Sequence, residues 1–450
     1  MNIHFIAIGG SAMHNLALAL SEKGEIVTGS DDIIFEPSQS RLKKAGLLPE
    51  KFGWFPEKIT KETDAVILGM HAKKDNPELI KAQNLGIPIF SYPEFLYEHA
   101  KDKTRVVIGG SHGKTSITAM ILHVLKAREK EVDFMVGAQL EGFRNMVHLT
   151  EENDFIVLEG DEYLSSPTDR RPKFHLYKAN IGLISGIAWD HINVFPTFEN
   201  YVEQFKIFIE TITPDGVLVY NEEDEILKEI VENSPQTIRK FPYSTPKYNI
   251  KQGRCFLETD QGEIQLEIFG KHNLNNLAGA KVICELMGVE ASAFYQSISS
   301  FKGASKRLEK LAESSETVVF KDFAHSPSKV KATTQAVKDQ YPEKNLIACF
   351  ELHTYSSLNS DFLKEYHSTL QAADKALVFY SPENLEIKGL DPIEIKQIEE
   401  AFDHPDLTVF TKPKKFESFL RNKELKNSVL LLMSSGNYGG LNIEEIIHKI

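Results

Sequence analysis

The stretch that most constrains the fold is RVVIGGSHGKTSITAMILHVLK, residues 105–126. An apolar run typical of a buried strand ends in two glycines, and a helical pattern of apolar residues begins shortly afterwards. A strand joined to a helix by so short a turn predicts part of a βαβ unit, and therefore a parallel sheet. The turn also contains Gly-Lys-Thr, but the common phosphate-loop spacing needs a glycine where this chain has Ile108. It is either a shortened nucleotide loop or a chance match.

The rest of the chain repeats the alternation of strands and helices. A chain of 450 residues is too long for one core, so we expect about three domains of roughly 100–200 residues each. We predict a three-domain α/β protein. Its parts are a Rossmann-like domain over residues 1–103, a central P-loop ATPase-like domain over 104–311 and a second Rossmann-like domain over 312–450. The predicted helices include residues 76–86, 272–288 and 360–373.

Composition excludes several classes of protein. The net charge of −13 argues against non-specific nucleic-acid binding. No apolar run reaches the roughly 18–20 residues of a membrane helix, and the N-terminus lacks the basic flank of a signal peptide. We therefore expect a cytoplasmic protein without membrane insertion. The widely spaced Cys255, Cys284 and Cys349 predict buried free thiols rather than a metal site or a disulfide framework.

The first strand and first helix are joined by a second glycine turn, GGSAM, at residues 9–13. The dinucleotide fingerprint would need glycine at Ser11 and His14, which counts against an NAD-dependent dehydrogenase. Gly9 and Gly10 could still bring backbone N–H groups close to a phosphate at a helix N-terminus. Asp31 follows the second predicted strand, where a carboxylate can meet a ribose hydroxyl. The alternative is a tight turn that binds nothing.

The loop at 110–116 has the strand and helix that a nucleotide site requires. Its candidate residues are Gly110, Ser111, His112, Gly113, Lys114, Thr115 and Ser116. Lys114 could reach the β- and γ-phosphates, and Thr115 could offer a hydroxyl to Mg²⁺. Acidic residues after the strand DFIVLEGDE, among them Glu159, could complete a metal site, or they could form a solvated loop. His191 follows another apolar strand and is by itself more typical of a structural histidine.

The order of these motifs resembles the Mur ligase family of ATP-dependent, amide-forming enzymes. The loop GSHGKT is similar to that family's G-T-x-G-K-T, so the resemblance accounts for the missing glycine. LEGDE, WDH, GKHNLNNLAGA, FKGASKRLE and KDFAHSP follow in the family's order, with Lys306 where many members have arginine. The resemblance implies ATP and Mg²⁺ as cofactors and an acyl-phosphate route.

The resemblance also implies roles for individual residues. Lys114, Glu159, His191 and Arg307 would be catalytic, and Thr115, Glu159 and His191 would bind metal. Asn273, Asn276, Arg307, Asp322 and His325 would join the phosphate loop in binding ATP. Gly9, Gly10, Ser11, Ala12, Met13, Ser30, Asp31 and His71 would bind a UDP-sugar. Lys206 lies near the place where some members carry a carbamylated lysine, but it receives no role here.

The amino end resembles members that take UDP-N-acetylmuramate itself. Two amine substrates then compete: L-alanine, and the recycled tripeptide L-alanyl-γ-D-glutamyl-meso-diaminopimelate. EGDEYLSSPTDRRPKF and LLLMSSGNYGGL favour the tripeptide, with Arg170 and Arg171 as possible partners of its carboxylates. HTY at 353–355 is closer to members that take L-alanine. We expect small-molecule substrates and a monomer or weak dimer. A non-catalytic nucleotide-binding scaffold is the alternative from another class.

Overall fold

The computed structural model describes residues 1–140, 142–189, 194–304, 307–422 and 425–447. The chain divides into two compact units. The first comprises Met1–Ile187, Val202–Tyr243 and Val282–Gly288. The second comprises Ala188–Tyr201, Ser244–Lys281 and Val289–Ile450.

The first unit contains a four-stranded parallel sheet in the order β2-β1-β3-β4. Its strands are β1 (Asn2–Ile6), β2 (Ile26–Ser30), β3 (Ala65–Leu68) and β4 (Ile89–Ser91). Its helices are α1 (Ser11–Glu22), α2 (Ser38–Lys44), α3 (Pro77–Leu85) and α4 (Tyr92–Ala100), with a 3-10 turn at Pro56–Lys58. The strand order reverses between β1 and β3, so the turn after β1 lies at a topological switch point, where open α/β sheets bind ligands.

A seven-stranded sheet completes the first unit, in the order β11-β10-β9-β5-β8-β6-β7. Its strands are β5 (Thr104–Gly109), β6 (Asp133–Met135), β7 (Val147–His148), β8 (Phe155–Glu159), β9 (Ile181–Ile184), β10 (Val217–Asn221) and β11 (Arg239–Tyr243). The helices along this segment are α5 (Lys114–Ala127), α6 (Lys173–Leu176), α7 (Phe198–Thr211) and α8 (Glu225–Glu232). Among the described strands of this sheet, β7 is the one that pairs antiparallel. Because β5 lies between β9 and β8, the loops after these three strands emerge at one edge.

The second unit has a small antiparallel sheet and a larger mixed one. The small sheet contains β12 (Tyr248–Lys251), β13 (Arg254–Thr259) and β14 (Gly262–Leu266). After α9 (Lys271–Leu286) and α10 (Ala291–Ile298), the larger sheet has the order β15-β16-β20-β17-β18-β19. Its strands are β15 (Glu309–Glu313), β16 (Thr317–Asp322), β17 (Asn345–Leu352), β18 (Lys375–Tyr380), β19 (Leu407–Phe410) and β20 (Ser428–Met433). The remaining helices are α11 (Pro327–Gln340), α12 (Pro382–Lys388), α13 (Ile395–Phe402), α14 (Pro413–Asn422) and α15 (Ile443–Ile447).

These sheets confirm the predicted α/β class with parallel-rich sheets. The domain boundaries stay a prediction; the six-stranded sheet begins with β15 at Glu309, slightly before residue 312. The three cysteines are free and buried, as expected. Within the described ranges, no helix combines the length and apolar character needed to cross a bilayer.

The predicted helix over residues 360–373 is wrong. This segment consists of turns and one short 3-10 helix, Leu363–Tyr366. The N–H of Thr369 bonds to the carbonyl of Tyr366, three residues back, and Ser368 has a left-handed φ of 57° that interrupts any helix. Apolar side chains here are buried at helical spacing, so periodicity alone could not distinguish the two structures.

Candidate functional site

The loop after β5 lies against the end of the neighbouring strand β9. The Ser111 N–H donates to the Gly186 carbonyl at 3.0 Å, and the Ser185 hydroxyl donates to the His112 carbonyl. Gly110 has a φ of 124°, and a Cβ there would collide with the Ser185 hydroxyl. Only glycine fits this position. The close approach leaves the loop a compact backbone turn, with Gly113 at the N-cap of α5.

Lys114 is the first residue of α5, and its side chain turns back over the loop. Its Nζ donates to the Gly110 carbonyl at 2.6 Å and pairs with Glu162 Oε2 at 2.5 Å. Burial alone would lower the pKa of Lys114, but the carboxylates of Glu162, Asp161 and Glu159 outweigh that effect and raise it. Lys114 is therefore a cation at neutral pH.

Thr115 and Glu159 form the oxygen-rich part of the site. The Thr115 hydroxyl donates to Glu159 Oε1 at 2.7 Å, and the Gly137 N–H donates to Glu159 Oε2 at 2.7 Å. Hydroxyl and carboxylate oxygens are the donors that Mg²⁺ prefers, so this pair fits the ion together with water and phosphate oxygens. His191, the third expected metal ligand, lies outside the described residues. Those residues contain no cluster of three or more His, Cys, Asp or Glu side chains able to hold a metal.

The turn after β1 brings Gly9 and Asp31 together. The Gly9 N–H donates to Asp31 Oδ2 at 2.7 Å, and a Cβ on Gly9 would lie 2.9 Å from that oxygen. The Gly9 N–H, which the sequence predicts to lie close to a phosphate, thus already donates to the chain's own Asp31 carboxylate. Burial raises the pKa of Asp31 to about 6, with Asp32 adding to the effect. Ser30 is buried and accepts a hydrogen bond from Lys58 Nζ at 3.2 Å.

The other residues expected at the sugar end differ in exposure. Met13 is buried on α1, whereas Ser11 is exposed at its start. Gly10 is the N-cap residue, and Ala12 is half-buried. His71 is exposed in the turn after β3. Of these residues, Ser11 and His71 are exposed, Gly10 and Ala12 are half-buried and Met13 is buried.

The remaining candidates for ATP binding belong to the second unit. Asn273 and Asn276 are buried at an i, i+3 spacing on α9, and Asn273 Nδ2 donates to the Phe269 carbonyl at 2.9 Å. The Arg307 guanidinium lies 4.5 Å from the Phe323 ring centroid.

Asp322 and His325 follow β16 in the same unit. The Asp322 carboxylate accepts hydrogen bonds from the Ala324 N–H at 2.9 Å and the Thr333 hydroxyl at 3.1 Å. Burial raises the pKa of Asp322, and nearby Arg307 opposes the shift. His325 Nδ1 is 2.9 Å from the Phe323 carbonyl oxygen, so the backbone orients its ring.

Two pairs of charged residues were not predicted from the sequence. Besides the Lys114–Glu162 pair, Lys173 Nζ contacts Asp161 Oδ2 at 2.5 Å. The only signal was the acidic run after β8, and the loop that returns Lys173 to it has no periodic pattern.

Other side chains take less central positions. The Arg171 guanidinium pairs with Asp169 at 2.6 Å and lies 3.6 Å from Glu94, so these residues hold it on its own loop. Lys206 is half exposed on α7, 3.4 Å from Glu203. Its position gives no support for a carbamylated metal ligand.

A further cluster lies at the ends of β17 and β20. The buried Glu351 carboxylate accepts hydrogen bonds from the Ser434 hydroxyl and from the Tyr438 N–H, the latter at 2.8 Å. His353 Nδ1 lies 3.8 Å from Glu351 Oε1. A cavity of about 210 Å³ borders Ser434 and includes Lys321 in its lining. The sequence signal was limited to HTY and SSGNYGG at the ends of apolar runs.

Known proteins resemble this chain along its whole length. Residues 2–104 match the model described as Mur ligase family, catalytic domain, and residues 108–284 match the Mur ligase middle domain. A UDP-N-acetylmuramate–L-alanine ligase of Sulfurihydrogenibium sp. (strain YO3AOP1) is 30% identical over 444 residues, which cover 97% of this chain and 95% of that protein.

Solved structures share the fold. The UDP-N-acetylmuramate-alanine ligase of Thermotoga maritima has a TM-score of 0.71 at 20% identity, covering 100% of this chain and 98% of that one. The murein peptide ligase of Psychrobacter arcticus 273-4 has a TM-score of 0.68, also at 20% identity and with the same coverage. These structures confirm the expected three-domain α/β fold. The family matches confirm the expected use of ATP and Mg²⁺. This chain belongs to the Mur ligase family of ATP-dependent ligases, which form amide bonds in peptidoglycan synthesis.

Proposed function

We propose that this chain joins an amino group to the lactyl carboxylate of UDP-N-acetylmuramate, and that L-alanine is its amine substrate. The observation that carries the ligase proposal is the position of Lys114 and Thr115 on a glycine loop beside Glu159. A cation, a hydroxyl and a carboxylate at the edge of a parallel sheet suit the binding of a nucleoside triphosphate with its metal ion.

In this proposal, Lys114 places a fixed positive charge near the phosphoryl group that is transferred. Such a preorganised charge stabilises the transition state without reorganising at the moment of reaction. Thr115 and Glu159 would hold Mg²⁺, with His191 as a further ligand by resemblance. When bound, the ion supplies positive charge that neutralises phosphate oxygens. Glu159 is held in place because the Gly137 N–H fixes its second oxygen.

Further ATP-binding residues are proposed from the family resemblance. We propose that Asn273 and Asn276 contact adenine, that Asp322 and His325 lie near the ribose, and that Arg307 reaches the phosphates. The Arg307 guanidinium already lies over the Phe323 ring, and such a contact limits the orientations that it samples.

We assign the UDP-sugar to the turn after β1. Gly9, Gly10, Ser11, Ala12 and Met13 form the turn and the start of α1. Ser30, Asp31 and His71 would surround the same ligand. Because the Gly9 N–H already donates to Asp31, we expect the Asp31 carboxylate to organise this turn as well as to contact the ribose.

We favour L-alanine as the amine substrate because the names of full-length relatives include it. The local sequence predicts the tripeptide, but these relatives support L-alanine better. The tripeptide stays a second candidate because residues 159–174 and 430–441 resemble ligases that use it. Arg171, its suggested carboxylate partner, is engaged by Asp169 in this structure.

The test measures release of inorganic phosphate from ATP with UDP-N-acetylmuramate and L-alanine together. Release should require both substrates and Mg²⁺. UDP-N-acetylglucosamine, which lacks the lactyl carboxylate, is the matched control and should give none. Release that is equally fast with the control sugar would rule out the lactyl carboxylate as the acceptor.

A further inference from the structure

Two ion pairs lie near the phosphate loop, one of them through the buried carboxylate of Glu162. In one, Lys114 Nζ lies 2.5 Å from Glu162 Oε2, with side-chain exposures of 13% and 1%. In the other, Lys173 Nζ lies 2.5 Å from Asp161 Oδ2, with exposures of 14% and 35%. Neighbouring carboxylates in the sequence therefore have different lysine partners.

The lysine of the loop is already engaged by the chain itself. A lysine ammonium has three N–H donors, and Lys114 directs two of them to Glu162 and to the Gly110 carbonyl. A nucleotide phosphate also needs this ammonium. Because the Glu162 carboxylate is almost fully buried, it contacts Lys114 in a region of low dielectric, where charge-assisted hydrogen bonds are strong.

We propose that Glu162 is the internal counter-ion of Lys114 and that nucleotide phosphate competes with it for the lysine when ATP binds. The inference rests on the proposed function, since it takes residues 110–116 as the nucleotide loop. Glu162 thus sets the affinity for nucleotide by competing for one cation.

Lys173 has a supporting part in this arrangement. It neutralises Asp161, the residue next but one to Glu159, and its own backbone N–H donates to the Tyr163 carbonyl at 3.0 Å. The pairing gives the Asp161 carboxylate a lysine partner of its own. Lys173 is therefore a positioning residue, and Glu162 is the direct competitor.

The experiment is calorimetric titration of the full chain with a non-hydrolysable ATP analogue and Mg²⁺. Glu162→Gln keeps the size of the side chain and removes its charge, so the dissociation constant should fall about tenfold. Glu162→Asp keeps the charge but withdraws the carboxylate by one methylene. It should also bind the analogue more tightly than the wild type, by a smaller factor. Thermal unfolding checks that both variants are folded.

A double-mutant cycle with Lys114→Met tests whether the effect passes through the lysine. In the Lys114→Met background, Glu162→Gln should leave the dissociation constant unchanged. Equal tightening in both backgrounds would indicate a general charge effect and overturn the inference. Unchanged or weaker binding of the analogue by Glu162→Gln and Glu162→Asp would also overturn the inference. A wild type that binds no analogue would instead remove the nucleotide assignment of the loop, which separates failure of the proposed function from failure of this inference.

Discussion

Lys114 has two partners with different requirements, the substrate phosphate and the buried Glu162. Lys114→Ala should abolish ligation, because loss of one such electrostatic contact costs about 3–4 kcal/mol of transition-state stabilisation or more. It should also lower the thermal unfolding midpoint, because Glu162, 1% exposed, would lose its cation.

A second substitution separates these two effects. Lys114→Ala combined with Glu162→Gln should regain most of the lost thermal stability, since no unpaired charge is buried, and should stay inactive. Phosphate release and the unfolding midpoint are measured on both variants. Near-normal turnover in either one would remove Lys114 from the mechanism.

Asp31 connects stability with pH. Its folded-state pKa of about 6 is raised from 3.8 mainly by burial. Such a group contributes stability that is fully present below the unfolded pKa and is lost as pH rises through the folded pKa. Asp31→Asn should therefore raise the thermal unfolding midpoint at pH 8. The free energy of unfolding should rise by at most about 2–3 kcal/mol, and this gain should shrink towards pH 5.

The same substitution tests the role of Asp31 in binding. The asparagine oxygen can still accept from the Gly9 N–H, so the turn should keep its shape. Affinity for UDP-N-acetylmuramate should fall, while affinity for ATP should stay close to that of the wild type. A midpoint gain that is equal at pH 5 and pH 8 would contradict the titration argument.

At the scale of elements, one buried arginine joins helix ends to the central sheet. Arg105 on β5 is 5% exposed. Its guanidinium donates to the backbone carbonyls of Ala100, Lys101, Lys103, Tyr177 and Lys178 at 2.8 to 3.1 Å. These carbonyls lie at or just after the ends of α4 and α6, where helices leave acceptors unsatisfied. Arg105 therefore satisfies groups that no helix bond can reach.

Arg105→Lys should destabilise the protein by about 2 kcal/mol, because one ammonium cannot reach both helix ends and leaves buried carbonyls unpaired. Thermal unfolding measures the loss. The matched control is Arg144→Lys. The Arg144 side chain is 82% exposed, and its guanidinium lies 3.6 Å from the Glu22 carboxylate. The control should change the midpoint little. Similar losses in both variants would mean that the five carbonyl contacts carry no particular weight.

Local chemistry decided which elements could be predicted. α3 was predictable because Asn76 caps its first N–H groups and Gly86 ends it in a left-handed conformation. The signals for α4 are also in the sequence, since Ser91 and Glu94 form a capping box, although no helix was predicted there. The helix predicted over residues 360–373 was wrong because apolar side chains can be buried at helical spacing without forming a helix.

In the candidate site, one contact could be predicted from the sequence and another could not. Strand ends next to each other in a parallel sheet must meet, so the Thr115–Glu159 contact follows from topology. The partner of Lys114 does not follow from topology, because it depends on the path of the loop between Gly160 and Lys173. Sequence motifs therefore indicated the chemistry, and only the structure showed which carboxylate holds the lysine.

At the scale of the whole molecule, two kinds of similarity favour different amine substrates. Full-length similarity favours L-alanine, whereas two local stretches favour the tripeptide. With both amines at equal concentration, we expect the L-alanine product to dominate. A site shaped for the smaller amine has no partners for the extra carboxylates of the tripeptide, and burying charged groups unpaired costs several kcal/mol. The ratio of kcat/KM values for the two amines measures this preference.

The L-alanyl-γ-D-glutamate dipeptide is the intermediate control, and its kcat/KM should fall between those of L-alanine and the tripeptide. A ratio that favours the tripeptide, with the dipeptide again between, would reverse the assignment. The chain would then be a ligase for recycled peptide, and residues 159–174 would have been the better guide to its substrate.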